Sequence, residues 1–284
     1  MTSPATVAIA RPASEDFARS QRVVWASLPM SLTESPGKAR LLAVDARLPG
    51  WLDTLAAAIR SGIAGALVAR PVAGPPADDI RAVAGAAADA GTTVIVQTAW
   101  ASNPAVPQLA AVAAEKVPAV RLIDSLVQVA GDPAGQWADV LLDHLSLLRA
   151  MSGPLDSVHF AAHGANGYTV NGGTQATAVT LSAVRSTPRQ PAVRMAAYGA
   201  TAEAHLVVPA GDTAAPAAAW IVDQAAGTVQ PTRYESGARA SWRRLYGAAA
   251  ERSGEPAPDL LDLADDAEFV AAITKNFYRG RGRA

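Results

Sequence analysis

Five short apolar runs alternate with helical patterns in the first 116 residues, and this alternation restricts the fold more than any other feature of the chain. The runs are rich in Val, Leu, Ile and Ala and are predicted strands: residues 6–10 (TVAIA), 22–26 (RVVWA), 40–45 (RLLAVD), 65–69 (GALVA) and 92–97 (TTVIVQ). The remaining patterns predict helices over residues 14–20, 51–61, 77–90 and 105–115, and a Pro-Gly loop over residues 31–38. Strands that alternate with helices predict βαβ units in a mostly parallel sheet.

The glycine-rich loop of dinucleotide-binding proteins is absent after the first predicted strand. Glycines at that place let the backbone approach a pyrophosphate at a helix N-terminus. Here the strand is followed by RPASED, and the first glycine of the chain is Gly37. Ser14 is the predicted helix cap, while Glu15 and Asp16 would repel a diphosphate. No acidic ribose ligand follows the second predicted strand, so the usual nucleotide-binding residues are missing.

The chain between residues 156 and 209 is rich in predicted strands, with alternation clearest at Thr177, Val179 and Leu181. These strands cover residues 156–163, 175–184, 192–199 and 202–209. Residues 164–173 (GANGYTVNGG) are interpreted as a loop because turn-forming residues dominate there. Further strands are predicted over residues 219–223 and 228–234, followed by helices over residues 239–253 and 260–276.

Residues 136–160 join the two halves and read as a helix, a Gly-Pro break and a strand. Six residues share one face of this helix: Trp137, Val140, Leu141, His144, Leu145 and Leu148. An imidazole inside an apolar stripe needs either a partner or a chemical role, so His144 is a candidate site residue. Asp139 and Asp143 are four residues apart and therefore lie on one helical face.

Composition disfavours several classes of function. The formal net charge is -1 without a large block of one sign, which disfavours nucleic-acid binding. The chain has no cysteine, which excludes disulfides and thiolate zinc sites and fits a cytoplasmic protein. No signal-peptide pattern and no run approaching roughly 20 apolar residues is present, so no membrane partner is expected. His159 and His163 are four residues apart on a predicted strand, but we find no third ligand for a metal ion.

The chain has five segments in characteristic order and spacing, at residues 40–73, 77–106, 144–158, 198–203 and 242–283. In this order they resemble the Gfo/Idh/MocA family of the glucose–fructose oxidoreductase and inositol dehydrogenase type. The family's Glu-Lys-Pro motif corresponds to Ala69-Arg70-Pro71. The other similar segments are residues 77–106 with WASNPAV at their end, residues 144–158 at the family's catalytic histidine helix, residues 198–203 (YGATAE), and residues 242–283 at its last two helices.

The resemblance implies an α/β fold of two domains. A reduced Rossmann-like parallel-sheet domain is expected over residues 1–118, and an α/β domain with a large, mostly antiparallel, open sheet over residues 119–284. Helices over residues 239–276 are expected to pack back on the first domain. Val140 stands where the family has an acidic residue, and part of the first βαβ unit is expected to be missing, so the chain looks shortened and divergent at its N-terminus.

The resemblance also implies site residues. His144 would be the general acid/base for a substrate hydroxyl, Arg70 would position the substrate, and Asp143 would orient His144 or pair with Arg70. Arginine stays charged near neutral pH and cannot relay a proton as lysine does. The candidate substrate-binding residues are Trp100, Asn103 and Asp139. Structural alternatives remain open: a core histidine bonded to a backbone group, an ion pair for Arg70, a solvated face for the aspartates and a helix cap for Asn103.

Two main hypotheses of function follow. The first is an oxidoreductase that acts on a sugar, cyclitol or related hydroxy compound with NAD(P). The second is a cofactor-free homologue that serves as a small-molecule binding protein or as a non-catalytic subunit beside a catalytic partner. A non-redox enzyme that reuses the same pocket is a third. Sheet faces rich in Ala, Val and Thr suit burial between subunits, so we expect a homo-oligomer through the C-terminal sheet or contact with a partner subunit.

Overall fold

The computed structural model describes residues 5–30, 32–35, 37, 39–130, 137–174, 176–186, 192–210, 215–251 and 259–279. The helices are α1 (Glu15–Ser27), α2 (Trp51–Arg60), α3 (Ala77–Asp89), α4 (Ala105–Lys116), α5 (Trp137–Ser152), α6 (Gly237–Glu251) and α7 (Asp259–Arg279). The strands are β1 (Ala5–Ile9), β2 (Leu32–Glu34), β3 (Leu41–Asp45), β4 (Gly65–Ala69), β5 (Thr93–Gln97), β6 (Leu122–Val129), β7 (Ser157–Gly164), β8 (Gly167–Thr174), β9 (Thr177–Arg185), β10 (Ala192–Tyr198), β11 (Ala202–Pro209), β12 (Ala218–Asp223) and β13 (Gly227–Val229). The parts of the predicted elements at residues 31, 36, 38, 136, 175, 252–253 and 280–283 lie outside the described residues.

The chain folds into two compact units, each made of two separate segments. Unit 1 comprises Met1–Thr98 and Ala238–Glu268, and unit 2 comprises Ala99–Gly237 and Phe269–Ala284. The domain boundary between residues 118 and 119 stays a prediction.

Unit 1 is built on a five-stranded parallel sheet in the order β2–β1–β3–β4–β5. The chain adds β2 on one side of β1 and then β3 on the other, so the winding direction reverses between β1 and β3. In doubly wound sheets of this kind, ligands bind beyond the carboxyl ends of the strands at the point of reversal. A ligand of unit 1 is therefore expected near the segments that follow β1 and β3.

The predicted strand over residues 22–26 is wrong, because these residues belong to α1. Phe17, Gln21 and Trp25 follow one another at intervals of four and are buried, whereas Val23 is 65% exposed. The valines made the run resemble a strand, but burial follows the helical period. The second strand is instead β2, within the segment interpreted as a loop. The first βαβ unit, expected to be incomplete, is therefore present as β1–α1–β2.

The core of unit 1 collects residues from distant parts of the chain. Trp242 of α6 is fully buried and packs edge-on against Trp25, with 5.4 Å between ring centroids. Its indole Nε1 donates to Gln21 Oε1 at 2.8 Å, so the buried amide has a partner. The same core contains apolar residues of four strands of the sheet, including Val7, Leu41, Leu67 and Ile95. Residues of α6 thus complete the core beneath the N-terminal sheet.

Unit 2 is built on an eight-stranded sheet in the order β13–β12–β11–β10–β6–β9–β8–β7. Only β6 and β9 pair in parallel, and the other described neighbours are antiparallel. The central strand β6 was not predicted from the sequence, although it pairs with β9 along its whole length and with β10 over residues 122–128. The two-domain α/β fold class, with a parallel sheet and a large, mostly antiparallel sheet, is confirmed.

The loop interpretation of residues 164–173 is wrong, because β8 occupies most of this segment. Burial alternates along β8, with Tyr168, Val170 and Gly172 facing the interior. Gly172 serves close packing, since a Cβ atom there would lie 2.1 Å from the carbonyl oxygen of Ser157. Most of the turn-forming residues that indicated a loop are therefore strand residues, and only Ala165 and Asn166 form a turn, between β7 and β8. The predicted strand over residues 228–234 is also shorter, and β13 ends at Val229.

Candidate functional site

The N-terminus of α1 lies at the point of strand reversal in unit 1. Ser14 caps the helix as predicted, since its Oγ accepts a hydrogen bond from Phe17 N at 3.2 Å. Asp45, the last residue of β3, reaches the same place, because Ser14 Oγ donates to its Oδ2 at 3.0 Å. The two polar side chains thus connect the strand end to the helix N-terminus.

The Asp45 carboxylate is fully buried and bonded through both oxygens. Arg47 donates from Nε to Oδ1 at 2.9 Å and from Nη2 to Oδ2 at 3.0 Å. Ser14 N lies 3.4 Å from Oδ2 and adds a weak contact. Burial alone raises the pKa of Asp45, but the hydrogen bonds from Arg47 and Ser14 outweigh burial and hold the pKa below its ordinary value. Asp45 is therefore an anion near neutral pH.

An open cleft of about 940 Å³ is lined by residues of β1, α1 and the end of β2, and by the segment that joins β1 to α1. Its charged lining residues are Arg11, Arg19, Arg22, Glu15 and Glu34. Glu34 ends β2 and accepts two hydrogen bonds from Arg22, both at 2.9 Å. An acidic residue at the end of the second strand is the usual partner of a ribose hydroxyl in dinucleotide-binding folds. The sequence missed this candidate because the second strand was placed eight residues or more too early.

Arg70 directly follows β4 and has a backbone φ of 53°, which is uncommon for a residue other than glycine. Its backbone N–H donates to Gln97 O at 2.8 Å, which ties the end of β4 to the end of β5. Among the described residues, the ion pair proposed for Arg70 as a structural alternative is absent. Its role toward a substrate stays a prediction.

His144 lies between α5 and the sheet of unit 2 and is fully buried. Its Nδ1 lies 3.0 Å from Tyr168 Oη, and its Nε2 lies 2.7 Å from Ser125 Oγ. Ser125 Oγ also donates to Arg194 O at 3.1 Å. One arrangement satisfies all of these groups: Nε2–H donates to Ser125, and Tyr168 donates to Nδ1. The packing is that of a core histidine, with hydroxyl groups rather than the expected backbone group as partners.

The environment of His144 opposes its protonation. Burial lowers its pKa from 6.5 to about 3, so the imidazole is neutral near pH 7. Burial also raises the pKa of Tyr168, with a further contribution from the negative charge of Asp143. Protonation would turn Nδ1 from acceptor to donor, so the Tyr168 hydroxyl would have to accept a hydrogen bond from it instead of donating one.

The other candidate residues of unit 2 have structural partners. Asp143 Oδ1 accepts from Ala99 N at 2.9 Å, which fixes the chain just before the buried Trp100. Asn103 Oδ1 accepts from the backbone N of Ala105, the first residue of α4, at 3.0 Å, while Pro104 holds the cap position predicted for Asn103. Asp139 is half-buried in the first turn of α5. Arg70 belongs to unit 1 and the five other candidates to unit 2, and their catalytic and substrate-binding roles stay predictions.

Sequence reasoning missed Asp45, Ser125 and Tyr168. Asp45 could have been noticed, because it is a carboxylate at the end of an apolar run with Arg47 two residues later. Tyr168 was hidden in the apparent loop, and Ser125 in a strand that was not predicted. Only the pairing of β6, β8 and β9 brings these two hydroxyl groups to His144.

The α1 N-terminus does not fit the diphosphate of a nicotinamide dinucleotide. The Asp45 carboxylate already accepts the hydrogen bond that the Ser14 hydroxyl donates. Pro12 has no N–H to offer, and Glu15 and Asp16 add negative charge in the first turn. Among the described residues, no group of three or more His, Asp or Glu side chains could hold a metal ion. Every described helix is too short or too polar to cross a membrane.

No protein-family model matches the chain, and no curated protein matches it. Solved structures do resemble it. An oxidoreductase from Agrobacterium radiobacter, solved with NAD+, L-tartaric acid and magnesium, has a TM-score of 0.76 at 11% identity, covering 98% of this chain and 97% of the other. An oxidoreductase from Sinorhizobium meliloti has a TM-score of 0.73 at 12% identity, covering 98% and 99%. The 3-ketoreductase KijD10 from Actinomadura kijaniata, solved with NADP and TDP-benzene, has a TM-score of 0.72 at 14% identity, covering 96% and 98%. At these identities the likeness shows a shared fold.

Proposed function

We propose that the chain is a divergent homologue of the Gfo/Idh/MocA kind that binds a small hydroxy compound without using a nicotinamide cofactor. The observation that carries this proposal is the burial of His144. Its two ring nitrogens are both hydrogen-bonded and fully enclosed, so a substrate reaches the imidazole only if α5 separates from β8. A general acid/base must instead come within hydrogen-bond reach of the proton that it transfers.

The cleft beside β1 and α1 supports the binding part of the proposal. Its lining includes the apolar Ala8 and Ile9 and the charged Arg22–Glu34 pair. A mostly apolar cleft with a few polar groups is the usual form of a small-molecule site. Carboxylate and guanidinium groups suit the hydroxyl groups of a sugar, cyclitol or nucleoside.

Thermal denaturation with myo-inositol, glucose and adenosine as probes tests this proposal. We expect at least one probe to raise the midpoint for the wild type, because a ligand that binds only the folded state stabilises it. Ala18→Phe fills the cleft and should remove the effect. Ala86→Phe, at an exposed position of α3, is the matched control and should keep it. A midpoint shift that survives in Ala18→Phe, or no shift with any probe, would contradict the assignment of the cleft.

The second candidate function is an NAD(P)-linked oxidoreductase acting on a sugar, cyclitol or related hydroxy compound. The fold likeness to solved oxidoreductases, which spans nearly the whole chain, and the position of Glu34 at the end of β2 support it. In this role Arg70 would orient a substrate hydroxyl or carboxylate, and His144 would hold its proton after α5 has opened.

Titration with NADH and NADPH, followed by fluorescence and calorimetry, separates the two candidates. The first proposal predicts no saturable binding at micromolar concentrations. Saturable binding with turnover of a hydroxy compound would replace it by the second candidate. In that event, His144→Ala should abolish turnover and leave cofactor affinity nearly unchanged, whereas the exposed His159→Ala should leave both unchanged.

A further inference from the structure

We propose that Asp45 is a built-in anion that occupies the N-terminus of α1 in place of a bound phosphate group. The proposal concerns unit 1 alone and does not depend on whether the cleft binds a hydroxy compound. It accounts for a doubly wound sheet that lacks glycines after β1 and still holds an ordered helix N-terminus at its point of reversal.

The donors around Asp45 are the hydroxyl that caps α1 and a guanidinium, two groups that also bind free anions. The Ser14 hydroxyl and the Arg47 guanidinium donate to the carboxylate at 2.9–3.0 Å. Arg47 Nη2 also donates to Ser14 Oγ at 3.1 Å, so strand end, cap and guanidinium form one closed set. A helix N-terminus favours negative charge because its first N–H groups are unpaired and its dipole is positive there.

The burial of Asp45 indicates that its carboxylate occupies the space between Ser14 and Arg47 at the N-terminus of α1. The Asp45 side chain has no exposed surface, whereas Arg47 is 40% exposed and covers it from the solvent side. The guanidinium carbon of Arg47 also lies 5.9 Å from the centre of the Phe17 ring, a contact with the first turn of α1. A phosphate oxygen could take these donors only by displacing the carboxylate.

Charge and backbone chemistry reinforce the exclusion. Glu15 and Asp16 lie in the first turn of α1, and with Asp45 they bring three carboxylates to one helix N-terminus. A diphosphate would add at least two further negative charges. Ligands of unit 1 are therefore expected to lack a diphosphate at this position.

Anion rescue of Asp45→Ala tests the proposal. The variant leaves the donors of Ser14 and Arg47 without an acceptor, so we expect its melting temperature to fall by about 5–15 °C. Sodium formate, phosphate or pyrophosphate should restore about half of this loss, compared with sodium chloride at the same ionic strength. The wild type should show no shift beyond that of sodium chloride. Asp53→Ala is the matched control, because Asp53 is an exposed aspartate in the first turn of α2, and no anion should rescue it.

Two results would overturn the proposal. In the first, none of the anions raises the melting temperature of Asp45→Ala. In the second, pyrophosphate stabilises the wild type as much as it stabilises the variant. If Asp45→Ala does not fold alone, Asp45→Ser is measured in the same way, and folding that requires formate or phosphate supports the proposal. If neither variant folds with any of the three anions, Asp45 is a structural residue and not a replaceable anion.

Discussion

His144 and Asp45 are the two buried polar residues on which the proposals rest. His144 is enclosed with a hydroxyl partner for each nitrogen, and Asp45 is enclosed with a guanidinium and a hydroxyl. Both satisfy the requirement that buried polar groups be hydrogen-bonded. They differ in charge, because burial keeps the imidazole neutral while the ion pair keeps the carboxylate ionised.

The neutral His144 predicts acid-sensitive stability. Its pKa is about 3 in the folded protein and about 6.5 when unfolded, so the unfolded state binds more protons between these values. The contribution of the neutral His144 to the free energy of unfolding should be complete above pH 6.5. It should be lost progressively as the pH falls toward 3. Urea denaturation at pH 7, 5.5 and 4.5 measures this decrease, which should be smaller in His144→Gln. The exposed His159→Gln is the control and should keep the wild-type slope. If the free energy of unfolding fell equally with pH in the wild type and in His144→Gln, the imidazole would be protonated in the folded protein.

At the scale of elements, α1 shows how burial overrides a local pattern. The RVVWA run has the composition of a strand, and β-branched residues do favour strands. Trp25, however, packs against Trp242 from a segment more than 200 residues later in the chain. A helix places Phe17, Gln21 and Trp25 on one face toward that core, so the tertiary contact selects the helix.

The helical assignment of α1 predicts opposite results for neighbouring substitutions. Trp25→Ala removes a buried indole and should lower the free energy of unfolding by about 3–5 kcal/mol. Val23→Ala is exposed in the helix and should change it by less than about 0.5 kcal/mol, or raise it, because alanine favours helices. Both are measured by urea denaturation monitored by circular dichroism. A large loss in Val23→Ala would contradict the helix.

At the scale of the whole molecule, the open face of the sheet in unit 2 is the surface proposed for assembly. Tyr198, His205 and Trp220 of neighbouring strands contact one another there, and the His205 and Trp220 rings stack at 5.1 Å. Val222 on the same face of β12 is 38% exposed, and Leu122 of β6 is 37% exposed. Exposed apolar side chains on a sheet of this size favour burial against another subunit.

We therefore predict a homo-oligomer in solution whose interface includes this face. Analytical ultracentrifugation should show a species larger than the 29.0 kDa monomer. Val222→Asp should weaken the assembly at least tenfold, because it places a charge in an apolar interface. Val23→Asp, at an exposed position of unit 1, is the control and should leave the assembly intact. A wild type that sediments as a monomer at all concentrations would refute the prediction.

The sequence alone determined the elements whose signals are local. Strands β3, β4 and β5 and helices α2 and α3 lie within two residues of their predicted bounds, because short apolar runs and amphipathic periods mark them directly. The cap at Ser14 was equally readable, since its side-chain oxygen bonds an N–H only three residues away. Helix α5 and its apolar face, with His144 inside it, were also predicted.

Only the tertiary structure decided which distant residues meet. The partners of His144 come from β6 and β8, and no local pattern of α5 specifies Ser125 or Tyr168. The meeting of Asp45 with Ser14 depends on the parallel pairing of β1 and β3, which brings two loops 31 residues apart to one edge. Long-range pairing of strands fixes both sets of contacts, and the energy of a buried polar group depends on partners that its own segment does not contain.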